Sequence, residues 1–325
     1  FSDKTALDLL SKECEAISTE FENIPSDTIK YLEEKVRTHP NSNAISIVQR
    51  RVKEKQFIKE IGLPIGECKP IESNESLLLF NAEHIFPAIL KQSQFGYDGK
   101  GQSHVNNLNE VKAIYDQSKE NEFVLEKKLN LDKEVSVVLS RSSDGNTRIF
   151  PVIENQHKAG ILDLSIVPAR INEDIRKEAI TYALKIATNL NYVGTIAVEF
   201  FLSDNKLYVN EIAPRPHNSG HFSLDACNVS QFDQQVFALV GENLKDIKLE
   251  KNAVMLNLLG DLWFKNGRAE EPNFDEVDNI DINIHLYGKH LPRKGRKMGH
   301  ITVVGDNVDK LIDKVEDIRS KLWKI

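Results

Sequence analysis

The sequence predicts a mixed α/β (α+β) fold built from several subdomains. Apolar residues recur at helical spacing over residues 173–190, whereas they alternate at period two over residues 133–141. A chain of 325 residues is long enough for two or three packed subdomains. The hydrophobic fraction of 40% and the charged fraction of 28% are ordinary for a globular protein.

Composition excludes several classes of protein. The net charge of −7 argues against nonspecific nucleic-acid binding but not against anionic small substrates. The three cysteines are far apart and form no CxxC pair, which argues against a disulfide framework or a thiolate zinc site and favours a reducing compartment. No apolar run approaches the ~18 residues of a membrane span, and no signal peptide opens the chain. We therefore expect a cytoplasmic protein.

The N-terminal residues resemble the closing part of an α/β unit. An amphipathic helix over residues 5–17 is predicted to lead into a short strand at 16–19. Either Ser26 or Asp27 can cap a second helix, because both side chains can accept a hydrogen bond from a free amide of the first turn.

A longer helix with basic residues follows. Asn43 can cap it, apolar residues continue through 45–61, and Gly62 and Pro64 end it. Arg51 belongs to a group of basic residues on this helix. Such a group is usually a solvated face, so by itself it indicates little about function.

A glycine-rich segment follows the short strand predicted at 87–91. Its glycines are Gly96, Gly99 and Gly101. Such a loop can close its amides around phosphate oxygens, although it has neither the GxxxxGK[ST] nor the GxGxxG pattern. A plain turn is the commoner interpretation, but Lys91 at the end of the strand favours phosphate binding.

Several strands and one long helix fill the centre of the chain. Strands are predicted at 123–127, 133–141 and 148–153, and an amphipathic helix at 173–190. Strands at 193–202 and 206–212 then flank Asp204-Asn205, which predicts a β-hairpin.

The register of this hairpin decides whether it can bind a metal. Strict alternation puts Val209 and Glu211 on one face and Asn210 and Ile212 on the other. A loop of odd length would place Glu199 opposite Glu211, whereas an even loop would place it opposite Asn210. Two adjacent carboxylates repel each other unless a cation lies between them, so the odd register predicts a metal. Oxygen ligands favour Mg²⁺ held jointly with substrate phosphates. The alternative is two acidic residues on a solvated sheet.

Polar groups concentrate directly after the hairpin, where two prolines end the strand. Residues 210–221 supply a carboxamide, a carboxylate, a guanidinium and two imidazoles: Asn210, Glu211, Arg215, His217 and His221. This concentration favours an active site over a polar loop.

The C-terminal part of the chain contains more strands and a basic turn. Ser230 and Asp233 form a capping box for a helix, and strands are predicted at 253–260 and 281–287. A basic run at 289–300 could be a nuclear-localisation or nucleic-acid patch. Because proline and glycine fold the run into a tight turn between strands, a phosphate pocket is favoured.

Taken together, these segments resemble the ATP-grasp enzymes and, within them, the N5-carboxyaminoimidazole ribonucleotide synthases of purine biosynthesis. The matching segments, in family order, are EFEN at 20–23, GYDGKGQ at 96–102, EFF at 199–201, NEIAPRPHNSGH at 210–221 and RKMGH at 296–300. The resemblance extends over the whole chain.

The resemblance implies an ATP-grasp fold in four parts. Residues 1–46 would be the C-terminal part of an N-terminal α/β domain, whose first half is missing here. Residues 47–122 would form the small lid subdomain, 123–252 the large subdomain with the Mg·ATP site, and 253–325 a small β-rich C-terminal domain.

The resemblance also implies the reaction, in which ATP cleavage drives carboxylation of aminoimidazole ribonucleotide by bicarbonate through carboxyphosphate. Glu199 and Glu211 would hold Mg²⁺. The residues implied for ATP are Arg51, Lys91, Gly96, Gly99, Lys100, Glu126, Lys127, Leu129, Glu134 and Asn210. Those implied for the ribonucleotide are Tyr97, Asp98, Arg215, His217, Lys289, Arg296 and Lys297. The catalytic groups would be Arg215, His217 and Lys100.

The family further implies a homodimer and a downstream mutase that receives the product, without nucleic-acid or membrane partners. His221 and His300 are equally compatible with buried structural roles. One departure is Phe95, which stands where the family usually has glycine; a bulky residue there could alter the lid loop.

Two other classes of function remain open from the residues. One is a different ATP-grasp ligase, such as a formate-dependent glycinamide ribonucleotide transformylase or a biotin carboxylase. The other is a noncatalytic nucleotide-binding remnant. The segments at 210–221 and 296–300 favour the carboxylating synthase. Loss of activity is disfavoured by the joint presence of Lys91, Glu199, Glu211 and Arg215.

Overall fold

The computed structural model describes residues 1–78, 81, 83–94, 96, 101–118, 122–265, 268–277 and 281–323, with the backbone alone at 74, 78 and 265. Its helices are α1 (Lys4–Glu13), α2 (Ser26–Glu33), α3 (Ser42–Val48), α4 (Arg51–Glu60), α5 (Asn74–Leu78), α6 (Leu108–Gln117), α7 (Glu173–Asn189), α8 (Ser223–Ala226), α9 (Gln231–Val240) and α10 (Val308–Leu322). Its first strands are β1 (Ala16–Ser18), β2 (Arg37–His39), β3 (Cys68–Ile71), β4 (Ala88–Gln92), β5 (Gln102–Val105), β6 (Phe123–Lys127), β7 (Lys133–Arg141), β8 (Thr147–Ile149) and β9 (Ile153–Lys158). The remaining strands are β10 (Ile161–Val167), β11 (Gly194–Ser203), β12 (Lys206–Ala213), β13 (Asn252–Leu259), β14 (Phe264–Lys265), β15 (Arg268–Ala269), β16 (Asn283–Leu286) and β17 (Lys297–Gly305).

The N-terminal elements form a small α/β unit in which β1 and β2 pair in parallel. The predicted cap of the second helix is wrong. Pro25 occupies the N-cap position of α2 without a side-chain hydrogen bond, so Ser26 and Asp27 already lie inside the first turn. The carboxylate of Asp27 there still faces the positive end of the helix dipole.

The long helix predicted after Asn43 is two helices. Asn41, not Asn43, caps α3 by accepting a hydrogen bond from the amide of Ala44 at 2.8 Å. The helical path then breaks at Gln49 and Arg50, because the amide of Arg51 donates to the carbonyl of Ser93 at 2.9 Å. This bond ties the start of α4 to the end of β4.

A four-stranded antiparallel sheet in the order β3-β6-β4-β5 forms the small subdomain. Its core contains Leu90, Val111, Phe123 and Leu125, all nearly inaccessible to solvent. The sheet presents Lys91 on β4 and Glu126 on β6 toward the centre of the molecule, where both are buried.

The large sheet has the order β12-β11-β7-β9-β10-β13-β17-β16, with β8 added to β7. Helix α7 covers one face and packs small residues such as Ala179 and Ala183 against Val137 and Val198. The strand predicted at 133–141 and the helix predicted at 173–190 are confirmed. The single strand predicted at 148–153 is instead β8 and β9, because Pro151 between them has no amide to donate.

The antiparallel pair of β10 and β13 extends the same sheet into the C-terminal residues. There β13, β17 and α10 enclose a separate core that contains Leu256, Ile301, Val315 and Trp263. The predicted capping box of α9 is present at Ser230 and Asp233. Within the described parts of the chain, no helix is both long and apolar enough to span a bilayer.

Candidate active site

The hairpin of β11 and β12 brings Glu199 and Glu211 together by means of a β-bulge. Its loop has two residues, Asp204 and Asn205, both with positive φ. An even loop alone would place Glu199 opposite Asn210. The ladder is regular as far as Phe200 opposite Val209, and then pairs Glu199 with Glu211, so that Asn210 is the extra residue.

Because of the bulge, the prediction of which β12 side chains share a face is wrong. Val209 and Ile212 both pack in the core beneath α7, whereas strict alternation placed them on opposite faces. Asn210 and Glu211 are therefore consecutive residues outside this core. The carboxamide Nδ2 of Asn210 donates to Glu199 Oε2 at 3.4 Å, which places it beside both carboxylates.

The two carboxylates differ in their electrostatic surroundings. Burial, followed by the charge of Glu211, raises the pKa of Glu199 to about 7. Burial also acts to raise the pKa of Glu211, but the cations Arg51 and Lys91 outweigh it and lower that pKa. Arg51 Nη1 lies 3.0 Å from Glu211 Oε2. A pair in which one carboxylate resists ionisation is a place where an added cation would be stabilised.

The donor set at this place fits Mg²⁺. It consists of the carboxylate oxygens of Glu199 and Glu211 and the Oδ1 of Asn210. That amide oxygen is buried and has no hydrogen-bond partner among the described residues. Hard oxygen donors of this kind are those that Mg²⁺ selects.

A buried cluster of charges lies next to the carboxylates. Lys91 Nζ is 2.8 Å from Glu126 Oε2, and Lys55 Nζ is 3.5 Å from the other oxygen of the same carboxylate. Lys55 also donates to the carbonyl of Asn210 at 2.6 Å. Burial alone would raise the pKa of Glu126, but the two ammonium groups lower it to about 2.

Two residues of α4 that sequence reasoning missed hold this arrangement. Lys55, only 5% exposed, is one of them. The other is Glu54, whose Oε1 accepts the amide of Ile212 at 2.7 Å beside the bulge. Burial raises the pKa of Glu54 to about 7. Lys55 belongs to the basic group that was interpreted as a solvated face, and Glu54 was not singled out, so only the position of α4 against β12 shows their roles.

Arg215 is held by the N-terminal unit. Its Nη2 lies 2.6 Å from Glu22 Oε1, and its Nη1 donates to the carbonyl of Pro216 at 3.0 Å. Burial raises the pKa of Glu22 against the opposing effect of Arg215. Glu22 belongs to the motif at 20–23 but was not among the predicted site residues.

His217 lies beside Glu199. Its Nε2 is 3.4 Å from Glu199 Oε1, and its Nδ1 is 2.9 Å from Ser219 Oγ. Burial, reinforced by Arg215 and Lys297, lowers the pKa of His217 well below its usual value. A neutral imidazole therefore stands beside the carboxylate pair.

The residues at 126–129 that the resemblance assigns to ATP begin with the last two residues of β6. The amide of Lys127 already donates to the carbonyl of Glu67 at 2.9 Å, and its ammonium lies 3.6 Å from the carboxylate of the same residue. Leu129 lies beside Gly66, because a Cβ added to Gly66 would be 3.7 Å from Leu129 Cδ1. The amide of Lys127 is therefore already bonded and is not available to a ligand.

Glu134 pairs with a histidine that the sequence did not single out. Its Oε2 is 2.9 Å from Nδ1 of His157. Although burial works against it, the adjacent Glu134 carboxylate and the charge of Glu199 raise the pKa of His157. No motif surrounds His157, so only the pairing of β9 with β7 reveals it.

The basic turn approaches the site through Lys297. The charge of Lys297 acts on both Glu199 and His217. Lys289 is exposed, and its Nζ donates to the carbonyl of Lys297 at 2.7 Å. Arg296 hydrogen-bonds the carbonyl of Leu291 within the same turn. The three predicted cations thus share one turn, with Lys297 at its inner side.

The C-terminal histidines form a hydrogen-bonded junction. His300 is 1% exposed and bonds Tyr287 Oη through Nδ1 at 2.8 Å, and His285 Nε2 lies 3.0 Å from Asp225. The rings of His285 and His300 stack at 4.5 Å and 18°. In nearly parallel rings the nitrogen lone pairs cannot converge on one metal, so a structural role is favoured. His221 likewise bonds the side chain of Gln231.

Five predicted positions of the glycine-rich loop lie outside the described residues: Phe95, Tyr97, Asp98, Gly99 and Lys100. Gly96 is described and partly buried. Of the other predicted residues, the structure gathers Arg51, Lys91, Asn210, Glu199 and Glu211 around the bulge.

Family models match three consecutive parts of the chain. A ribonucleotide synthetase preATP-grasp domain matches residues 1–49, an ATP-grasp domain matches 56–232, and a phosphoribosylaminoimidazole carboxylase C-terminal domain matches 253–314. The ATP-grasp match alone covers more than half of the chain.

Curated and solved relatives agree with these matches. The chain is 39% identical over 312 residues to N5-carboxyaminoimidazole ribonucleotide synthase of Staphylococcus aureus strain COL, covering 95% of this chain and 81% of that protein. A crystal structure of N5-carboxyaminoimidazole synthetase from Staphylococcus aureus complexed with ADP is 37% identical, with a TM-score of 0.85 over 98% of this chain and 83% of that one. The Aspergillus clavatus enzyme in complex with ADP and the aminoimidazole ribonucleotide shares the fold, with a TM-score of 0.88 at 24% identity over 100% of this chain and 86% of its own.

Proposed function

Since this chain belongs to the N5-carboxyaminoimidazole ribonucleotide synthase family of ATP-grasp ligases, we propose that it uses ATP and bicarbonate to carboxylate the exocyclic amine of 5-aminoimidazole ribonucleotide. The products are N5-carboxyaminoimidazole ribonucleotide, ADP and phosphate. The observation that carries the proposal is the opposition of Glu199 and Glu211, with Arg51 and Lys91 beside them. Carboxylates for a metal and cations for phosphates, side by side, are what phosphoryl transfer from Mg·ATP requires.

Glu199, Glu211 and the Oδ1 of Asn210 would hold Mg²⁺ in this proposal. When bound there, Mg²⁺ would neutralise the charge on the ATP phosphates. Among the residues of the chain, Arg51 and Lys91 bind the phosphate oxygens. Both are already held by carboxylates, at Glu211 and Glu126, so they need little reordering before ATP binds.

The family resemblance assigns the glycine-rich loop with Gly96, Gly99 and Lys100 to binding of the triphosphate, and Lys100 to assisting the transfer. Adenine lies against the segment from Glu126 to Leu129, with the backbone carbonyl of Lys127 as acceptor for its amino group. Glu134 binds the ribose hydroxyls, and its bond to His157 fixes the carboxylate for this task.

The chemistry proceeds in two displacements. A bicarbonate oxygen attacks the γ-phosphorus, the bond from phosphorus to the ADP oxygen breaks, and carboxyphosphate forms. The ribonucleotide amine then bonds to the carboxyl carbon, either directly or through CO2 released in the site. Phosphate leaves and takes up a proton from the amine. Arg215, fixed by Glu22, supplies the cation that holds bicarbonate and the developing anion.

The ribonucleotide lies between the basic turn and the region around His217. Lys289, Arg296 and Lys297 bind its 5′-phosphate, since an arginine can make two parallel hydrogen bonds to phosphate. Tyr97 and Asp98 contact the imidazole. The charge of Lys297 acts to lower the pKa of Glu199, which supports this placement, because the turn must then lie close to the reacting centre.

Phosphate release from ATP and bicarbonate tests the proposal. We expect release to rise several-fold when aminoimidazole ribonucleotide is added to the protein. The proposed function would be rejected if the rate of phosphate release did not change on addition of the ribonucleotide, or if it rose instead with formate and glycinamide ribonucleotide. The family also suggests a cytoplasmic homodimer whose product passes to a mutase; light scattering at micromolar concentration tests the dimer.

A further inference from the structure

A chain of hydrogen bonds runs through the interior of the large sheet to His217. Ser165 Oγ donates to Asn155 Oδ1 at 3.1 Å, and Asn155 Nδ2 donates to Ser136 Oγ at 2.9 Å. Ser136 Oγ donates to Ser219 Oγ at 2.9 Å, and Ser219 Oγ lies 2.9 Å from His217 Nδ1. None of the four polar residues behind the histidine is more than 4% exposed.

The donors in this series of hydrogen bonds all point toward His217. The oxygen of Ser219 accepts the hydrogen of Ser136, which leaves its own hydrogen available for donation to His217 Nδ1. The backbone amide of Ser219 also points at Nδ1, at 3.3 Å. Because an amide can only donate, Nδ1 is the acceptor of this contact and carries no proton. The proton of the imidazole is therefore on Nε2, the atom that lies 3.4 Å from Glu199 Oε1.

The backbone of His217 is fixed as firmly as its ring. The amide of His217 donates to Gln231 Oε1 at 2.9 Å, and Gln231 Nε2 donates to the carbonyl of His217 at 2.8 Å. Gln231 is fully buried. It also fills the space beside Gly220, where an added Cβ would lie 2.5 Å from its amide oxygen. The backbone that carries the imidazole ring is thus fixed by two hydrogen bonds to Gln231.

We propose that the series of hydrogen bonds from Ser165 to Ser219 fixes His217 as the Nε2–H tautomer. This histidine then donates a hydrogen bond that positions the Glu199 carboxylate, and it does not serve as a general base. The role of Glu199 in this inference rests on the proposed function. Orientation of a metal-binding carboxylate by a hydrogen bond from a neighbouring residue is a common device, and its loss typically costs 10–100-fold. The serines and Asn155 are then positioning residues.

Nuclear magnetic resonance of protein labelled with ¹⁵N-histidine reads the tautomer without any substrate. The chain has nine histidines, and the signals of His217 are those that disappear in His217→Gln. We expect an Nε2–H pattern, with the Nδ1 resonance shifted by its hydrogen bonds. In Ser219→Ala the Nδ1 resonance should move toward that of an imidazole nitrogen without a hydroxyl donor, and it should move less in Ser136→Ala. An Nδ1–H pattern in the unaltered protein would overturn the inference.

The matched control is Ser140→Ala. Ser140 lies on the same strand as Ser136, is equally buried, and bonds a hydroxyl, that of Thr195, at 2.7 Å. Its link to His217 is indirect, since Thr195 Oγ1 donates to the backbone carbonyl of Gln231 at 3.0 Å, and it lies outside the series of bonds that ends at Nδ1, so its loss should leave the Nδ1 resonance and the turnover unchanged apart from stability.

Measurements of turnover then distinguish a positioning role of these residues from a merely structural one. We expect Ser219→Ala and Ser136→Ala to lower kcat about 10-fold with the KM for ribonucleotide nearly unchanged. Ser219→Ala should cause no further loss when added to His217→Gln. An equal loss in Ser140→Ala, or fully additive losses, would show a merely structural role. If Ser219→Ala does not fold, Ser136→Ala decides the same question. A protein with the expected tautomer but no ribonucleotide-dependent release would contradict the proposed function and leave the hydrogen-bond chain intact.

Discussion

Glu199 and Glu211 stand opposite each other because Asn210 is inserted between two otherwise matched strands. The insertion lets Val209 and Ile212 share one apolar core while two consecutive polar residues face the other way. A regular strand would have to bury Glu211 in that core or lose Ile212 from it. The bulge thus resolves a conflict between packing and function within one strand.

Replacing Glu211 with glutamine should abolish most turnover and leave the fold intact. The change keeps the shape of the side chain but removes the charge that faces Glu199 and binds Arg51. We expect kcat to fall by about 100-fold or more, since even indirect support of a metal site is worth 10–100-fold. Phosphate release and circular dichroism measure the two properties. Glu271→Gln, an exposed change, should behave as the unaltered protein; retained turnover in Glu211→Gln would remove Glu211 from the metal site.

Replacing Lys55 with methionine should destabilise the protein strongly. The buried ammonium would no longer compensate Glu126 or bond the carbonyl of Asn210 at the bulge. Removal of one partner from a buried ion pair costs about 3 kcal/mol of unfolding free energy. Urea unfolding measures it, and Lys53→Met on the exposed side of the same helix should cost under about 0.5 kcal/mol. Equal effects of the two changes would contradict the buried role.

The role of Lys55 could not have been predicted from the sequence. Its charge belongs to a basic helical segment that is usual on a solvated surface, and burial depends on contacts with residues 71 and 155 positions away. The amide of Arg51 shows the same limit, since its bond to Ser93 ends the helix where local propensity would continue it. Local patterns carry no information about such distant partners.

The hairpin, in contrast, was largely predictable. The turn at Asp204 and Asn205 and the strands on both sides follow from local signals. The bulge also left a signal that was not used: apolar Val209 and Ile212 are three residues apart, which breaks the period of two that a regular strand requires. A spacing of three inside a strand pattern indicates one extra residue between the apolar positions.

The buried histidines predict sensitivity to acid. Burial lowers the pKa of His300 to about 2 and that of His221 to about 3, both from 6.5. The unfolded chain therefore binds protons that the folded chain does not. The stabilisation is complete above pH 6.5 and is lost as the pH falls toward these values, by about 1.4 kcal/mol per pH unit for each histidine.

His300→Phe tests this dependence. Between pH 6 and pH 4 we expect the slope of unfolding free energy against pH to decrease by about one proton, although the loss of the bond to Tyr287 lowers stability at every pH. Both tryptophans, Trp263 and Trp323, lie in the C-terminal core, so their fluorescence reports the relevant unfolding. His290→Phe, in the exposed turn, controls for the loss of an imidazole. An unchanged slope in His300→Phe would show that this histidine does not link folding to protons.

Replacing Arg296 with alanine should weaken binding of the ribonucleotide without slowing the chemistry. Arg296 shares the basic turn with Lys289 and Lys297, and the charge of Lys297 is among those that act on Glu199. A charged hydrogen bond to phosphate contributes about 1.5–3 kcal/mol, so the KM for ribonucleotide should rise about 10- to 100-fold. The KM for ATP and the kcat at saturating ribonucleotide should stay within about twofold, because the phosphate lies far from the reacting amine. Lys294→Ala, an exposed cation of the same turn, removes equal charge and separates a specific contact from a general field. An equal rise in both variants would favour the field, and no rise in Arg296→Ala would place the 5′-phosphate elsewhere.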